Sequence, residues 1–126
     1  MYKSLTSVLI LLAIAISFFG FRSTVDAPPE LKIPKKVNAI IQDKCYGCHS
    51  PEGRSDKAKD KLMWDDLTGL SMSDQAMKLS AISKVLDEGT MPPAKMLERM
   101  PEKKLTDKEM KVMSKWAAKM GKRVSP

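Results

Sequence analysis

The chain contains the run Cys45-Tyr46-Gly47-Cys48-His49, which holds both of its cysteines and its only histidine. The 126 residues are 43% hydrophobic and 29% charged, which indicates one globular domain and excludes a disordered or collagen-like chain. Two cysteines exclude a disulfide framework, and one histidine excludes a histidine-rich metal cage. The side chains with the most specific chemistry are therefore concentrated in five consecutive residues.

The C-x-x-C-H spacing is the signature of covalent haem attachment. Two thiols three positions apart can each add to one of two neighbouring vinyl groups, and a histidine directly after the second thiol is held under the iron. We therefore predict one haem c, bound through Cys45 and Cys48, with His49 as an iron ligand. Gly47 adds no side-chain bulk where the backbone crosses the porphyrin edge, and Tyr46 is interpreted as packing only.

Three other uses of this motif remain open. A redox-active dithiol is expected in a βαβ context, and the sequence shows no alternating apolar pattern of strands. A closed zinc site takes four cysteine or histidine ligands, and the chain has three such residues. A structural disulfide requires only an oxidising compartment.

Apolar spacing predicts an all-α domain of three to four short helices packed around one haem. The expected helices span residues 34–46, 73–88, 93–99 and 106–120. Ser73 is the expected N-cap of the second helix, and Thr106 with Glu109 predicts a capping box for the last, which Gly121 is expected to end. The charged run 50–62 is interpreted as a solvated loop.

A methionine is expected as the sixth iron ligand, because the sequence has no second histidine. Four of the ten methionines lie at helical spacing and are interpreted as core residues, namely Met77, Met110, Met113 and Met120. Met91 is the best candidate, because Gly89 lets the chain turn and the two prolines after Met91 stiffen the loop. Met96 and Met63 are the main alternatives.

The first 27 residues are predicted to be an address rather than part of the fold. Residues 4–21 carry no charged side chain. The length of this uncharged stretch is slightly long for the apolar part of a signal peptide and marginal for a membrane-spanning helix. Residues 1–27 are therefore expected to be a cleaved signal peptide or an N-terminal membrane anchor. Residues 28–126 would then form a periplasmic monohaem domain, soluble or tethered to the inner membrane.

The chain resembles the small monohaem c-type cytochromes of class I, and more closely a short exported haem-binding domain family of Bacteroidetes-type bacteria. The resemblance is carried by residues 45–50, 85–93 and 104–107, and by Trp116-Ala117 in the last helix. It implies terminal helices that cross beside the haem, with Cys45, Cys48, His49 and Met91 at the attachment and axial positions. Class I proteins often carry a Gly-Pro-x-Leu run whose proline carbonyl orients the histidine, and here only Pro51 is near the motif.

His/Met ligation leaves no open position on the iron, so the expected function is electron transfer and not enzyme catalysis. Residues 28–126 contain 20 basic and 14 acidic side chains, which favours redox partners with acidic docking surfaces. Export and the lack of interleaved aromatic and basic residues argue against nucleic acid. Lys44, Lys57, Lys59 and Lys95 are candidate docking residues. The alternatives are a haem-binding sensor or enzyme-associated domain with an open sixth position, and a non-haem dithiol module.

Overall fold

A computed structural model describes residues 30–125, so the predicted leader lies outside the described residues. The described part contains six α-helices: α1 (Lys35–Ile40), α2 (Asp56–Lys61), α3 (Trp64–Leu67), α4 (Met72–Asp87), α5 (Ala94–Leu97) and α6 (Asp107–Val124). A π-helical turn, Ile41–Cys45, continues α1, and a 3₁₀ turn, Pro101–Lys103, precedes α6. Residues 30–125 contain no strand, which confirms the all-α class. None of these helices is both long and apolar enough to cross a bilayer.

The two long helices, α4 and α6, form the most extensive helix–helix interface of the described chain. Gly121 of α6 is buried against α4, where a Cβ atom would make an ordinary contact of 3.4 Å with the Cβ of Leu79. The helix continues past Gly121 to the fully buried Val124. The expectation that Gly121 ends the last helix is therefore wrong.

Helix α1 packs across α6 and places the motif beside the core. The indole N–H of Trp116 donates a hydrogen bond of 3.1 Å to the Lys32 carbonyl, which ties the segment before α1 to α6. The ring of Trp64 lies 6.5 Å from that of Trp116 at a tilt of 39°, so α3 joins the same core. The π-helical turn then carries the chain from this core directly into Cys45.

The helix starts agree only in part with the sequence expectations. The capping box is confirmed, because Thr106 Oγ1 accepts from the Glu109 N–H and Glu109 accepts from the Thr106 N–H. The N-cap of α4 is Ser71 and not Ser73, since Ser71 Oγ accepts from the N–H of Asp74. Met77 was expected in the core but is 61% exposed.

The run 50–62 is not only a solvated loop, because α2 forms within it. The Ser55 side chain caps this helix by accepting from the Ala58 N–H, and Asp56 pairs with Lys59 at 2.9 Å. Together with the four-residue α3, this helix raises the count above the three to four helices predicted. Both are too short for an apolar period to be visible in the sequence.

Candidate functional site

Two adjoining cavities lie between the motif and α4. Their volumes are about 270 and 130 Å³, and both are lined by Cys45, His49, Leu86 and Met91. Most of the other lining side chains are apolar, including Ala58, Pro92, Leu105, Ile82 and Val85. Val85 of α4 is half-buried and lines the smaller cavity, so α4 contributes apolar side chains to the wall opposite the motif. Together the two cavities suit a large apolar ligand.

The motif turns so that both thiols reach the same cavity. The N–H groups of Cys48 and His49 both donate to the Cys45 carbonyl at 3.1 Å, which continues the helical path beyond the π-helical turn. Cys45 and Cys48 are free thiols and both line the larger cavity. Burial is the main cause that raises the pKa of the Cys45 thiol to about 12, so this thiol is protonated at neutral pH.

The imidazole ring of His49 is held by two backbone carbonyls. Its Nδ1 lies 3.1 Å from the Ala58 oxygen and 3.0 Å from the Leu62 oxygen. Because both partners can only accept, we assign the proton to Nδ1, which leaves the lone pair on Nε2 available to a metal. The orienting carbonyls therefore come from α2 and the residue that follows it, rather than from Pro51 beside the motif.

Gly89 returns the chain to the cavity after α4. Its φ of +65° lies in the left-handed region that residues with side chains avoid. The N–H of Gly89 donates to the Leu86 carbonyl, and the N–H of Thr90 donates to the Val85 carbonyl. This is the hydrogen-bonding pattern of a glycine-terminated helix end, and it delivers Met91 to a position lining both cavities.

The other candidate methionines are placed differently. Met96 lines the larger cavity, and its sulfur lies 3.9 Å from the Cys48 sulfur. Met113 lines the smaller cavity but is 1% exposed and belongs to the core. Met63 lines neither cavity. Of the three candidates named from the sequence, Met91 is thus the one that borders both cavities beside His49.

The cavities also fit the acidic edge of a haem. Trp64, Lys61 and Lys78 line the smaller cavity. The indole N–H of Trp64 is buried and has no hydrogen-bond partner within the described residues. With a haem bound, the two lysines would offer positive charge to its propionates, and Cys45 and Cys48, which both line the larger cavity, would hold its vinyl groups. Within residues 30–125, no three His, Cys, Asp or Glu side chains form a cluster able to hold a metal ion by themselves.

Tyr46 within the motif and Gly53 after it have roles that the sequence interpretation missed. Tyr46 is not only packing, because its hydroxyl donates to the Asp65 carboxylate at 2.9 Å, which raises the pKa of Tyr46. Gly53 is the sterically required glycine, since a Cβ there would lie 2.8 Å from the Ser50 carbonyl oxygen and closer still to that of Cys48. A Cβ on Gly47 would meet no protein atom within 4 Å. The Ser-Pro-x-Gly turn signal at residues 50–53 could have identified Gly53.

Three basic side chains line a surface pocket next to Cys48. Arg54, Lys95 and Arg99 are exposed there, and we name these three residues the basic rim. Met96 and Met100 line the same surface pocket as the basic rim. Of the lysines named from the sequence, Lys95 belongs to the rim and Lys44 lines the larger cavity. Lys59 instead pairs with Asp56.

A family model described as cytochrome c matches residues 34–120 of the chain. The matched range contains the motif, both cavities and most of α6. No curated protein and no solved structure matches the chain.

Proposed function

The chain belongs to the cytochrome c family, and from this premise we propose that it carries electrons with one haem bound through Cys45 and Cys48 and ligated by His49 and Met91. The family performs electron transfer with covalently bound haem c and exchanges electrons with redox protein partners. The described fold agrees with the class I-like arrangement predicted from the sequence. The observation that carries the finer assignment is that His49 and Met91 border the same two cavities beside the thiols.

The thiols are suited to thioether formation. Each S–H adds across one vinyl double bond, so that sulfur bonds to one carbon, hydrogen goes to its neighbour and no oxidant is consumed. Burial keeps the Cys45 thiol protonated, with its pKa raised to about 12, so this thiol enters the addition as S–H. The two thiols share one cavity, which supports attachment of both to a single haem.

The axial pair is supported by the way the chain presents each side chain. His49 is fixed by carbonyls at its Nδ1, which leaves Nε2 for the iron. Met91 is placed by the Gly89 turn at the end of α4. When bound, the haem supplies the iron that takes up and releases one electron. Two protein ligands leave no open iron position, so we propose a carrier rather than an enzyme.

The charge of the basic rim favours a redox partner with an acidic docking surface. Arg54, Lys95 and Arg99 are exposed next to Cys48, where a thioether would place one edge of the haem close to the surface. Charge at this edge would steer brief encounters, and salt would weaken the effect. The apolar residues 4–21 support export, so we propose a periplasmic location, soluble or tethered to the inner membrane.

An absorption spectrum of the haem-loaded protein tests this proposal. His/Met ligation predicts a low-spin spectrum with a weak iron–thioether band in the oxidised state. A high-spin spectrum would instead favour an open sixth position, as in a sensor or enzyme-associated domain. A protein with no Soret band would favour the dithiol module.

A further inference from the structure

Residues 53–65 fold back over the haem-attachment motif, and we name this segment the clip. It bonds to the motif through backbone and side chains at four places. The Arg54 N–H donates to the Gly47 carbonyl at 3.2 Å, and the Trp64 N–H donates to the His49 carbonyl at 3.0 Å. The other two contacts are the Tyr46–Asp65 hydrogen bond and the bonds of the His49 ring to the Ala58 and Leu62 carbonyls.

The acceptors that hold the imidazole belong to the last turn of α2. The Ala58 carbonyl also accepts from the Leu62 N–H at 3.0 Å, so it is part of the helix. Leu62 is the C-cap residue, and carbonyls at a helix end lack a partner within the helix. The position of the His49 ring therefore depends on α2 keeping its helical form.

Apart from its cap, helix α2 is held within the described residues only by a few hydrogen bonds near its C-terminal end, which come from the His49 ring and from the Lys78 ammonium group to the Lys61 carbonyl. It spans six residues, none of which is buried, and helices this short are marginal on their own. The carboxylate of Asp56 in the Asp56–Lys59 ion pair is exposed to solvent, so this pair contributes little to the stability of the helix. The Ser55 hydroxyl accepts from the Ala58 N–H at 3.2 Å. Ser55 is therefore the side chain on which the helix, and through it the Ala58 carbonyl, most depends.

We propose that the clip fixes the ring orientation of the iron-ligating His49, and that Ser55 acts as a positioning residue through α2. This inference rests on the proposed function, because it takes His49 as an axial ligand. A carbonyl that accepts from Nδ1–H makes the imidazole a stronger donor to the metal and favours the oxidised iron. Loosening the clip therefore exposes the Nδ1 proton to exchange and raises the reduction potential.

The test compares capping variants of the haem-loaded protein. Ser55→Ala removes the cap of α2, Ser55→Thr keeps it, and Ser71→Ala removes the equivalent cap of α4 away from the motif. In the reduced protein, NMR measures the exchange rate of the His49 Nδ1 proton, and voltammetry measures the potential. We expect Ser55→Ala to exchange about fivefold faster and to have a higher potential. The Ser55→Thr variant, which keeps the capping hydroxyl beside the larger cavity, should exchange at the wild-type rate, and Ser71→Ala should retain both wild-type values.

Equal exchange rates and equal potentials in Ser55→Ala and Ser71→Ala would overturn the inference while leaving the electron-carrier proposal intact. A wild-type protein that binds no haem would overturn both. The two failures are therefore distinguished by the visible spectrum of the wild-type protein before any variant is compared.

Discussion

Gly53 lies so close to the Cys48 carbonyl that a side chain at this position would require the backbone to move. The Gly53 N–H donates to the Ser50 carbonyl at 2.8 Å, which closes a turn directly after the motif. The close approach joins the start of the clip to the second attachment cysteine. The geometry of the motif thus depends on a glycine that lies outside it.

Replacement of Gly53 by alanine is therefore expected to destabilise the protein by roughly 1–3 kcal/mol, because the clash is with backbone atoms that cannot rotate away. Gly69→Ala is the matched control, since a Cβ there would meet only the Asp66 carbonyl oxygen at an ordinary 3.5 Å. Denaturant titrations of the two variants check this expectation. Equal denaturation midpoints for Gly53→Ala and Gly69→Ala would show that the turn accommodates a side chain.

Alanine variants of Met91 and Met96, the two candidate methionines that line a cavity, distinguish the axial ligand from its neighbour. Met91→Ala should keep the covalent haem, lose the iron–thioether band and lower the reduction potential, because thioether ligation raises it. Met96→Ala should keep the band, since Met96 lines only the larger of the two cavities beside His49. Oxidised-state spectra and voltammetry provide the measurements. Loss of the band in Met96→Ala alone would transfer the axial role to Met96.

The capping box of α6 predicts a dependence of stability on pH. The hydrogen bond from the Thr106 N–H is the main cause that lowers the pKa of Glu109. A lowered folded-state pKa stabilises the protein above the ordinary glutamate value of about 4.3, and this contribution is lost as the pH falls through the folded-state pKa.

Glu109→Gln should consequently reduce the free energy of unfolding by about 0.5 kcal/mol at neutral pH. The difference from wild type should disappear in acid, below the folded-state pKa of Glu109. Exposed Glu98, changed to Gln, is the control and should have little effect at either pH. Urea titrations at both pH values give the result. A difference that persists in acid would show that the charge of Glu109 is not responsible.

The basic rim is expected to govern the rate of reaction with anions. Lys95→Glu and Arg99→Glu should each slow reduction by an anionic metal complex roughly twofold or more at low ionic strength. The difference should vanish as salt is added. Lys122→Glu is the control, because Lys122 lies in the groove between α4 and α6. Stopped-flow kinetics measure these rates, and equal slowing by all three variants would indicate an effect of net charge only.

The helices that could be predicted are those whose stability is encoded locally. The apolar period of α6 and its Thr106–Glu109 capping box are both readable in the sequence, and both occur. The prediction of Ser73 as the N-cap of α4 overlooked the Ser71-x-x-Asp74 spacing, which is itself a capping signal in the sequence. The start of α4 at Ser71 also accompanies burial of Gln75, whose amide donates to the Thr68 and Leu70 carbonyls in the preceding turn.

In the candidate site, the sequence could predict only the residues whose side chains have distinctive chemistry. The C-x-x-C-H spacing identifies Cys45, Cys48 and His49, and the structure brings Met91 to the two cavities that Cys45 and His49 line. The groups that hold the His49 ring are backbone carbonyls, which every residue carries. Their role depends on α2, a six-residue helix whose cap and tertiary contacts outweigh its weak sequence signal.

The mass of the intact protein, measured after denaturation, tests covalent haem attachment most directly. The chain should be produced with a c-type maturation system, beside a variant in which Cys45 and Cys48 are both serine. We predict that the wild-type mass exceeds that of the polypeptide by one haem and that the double variant shows no such gain. The same spectrum reports whether the first 27 residues are removed. A wild-type mass equal to that of the bare polypeptide would show that no haem is covalently attached.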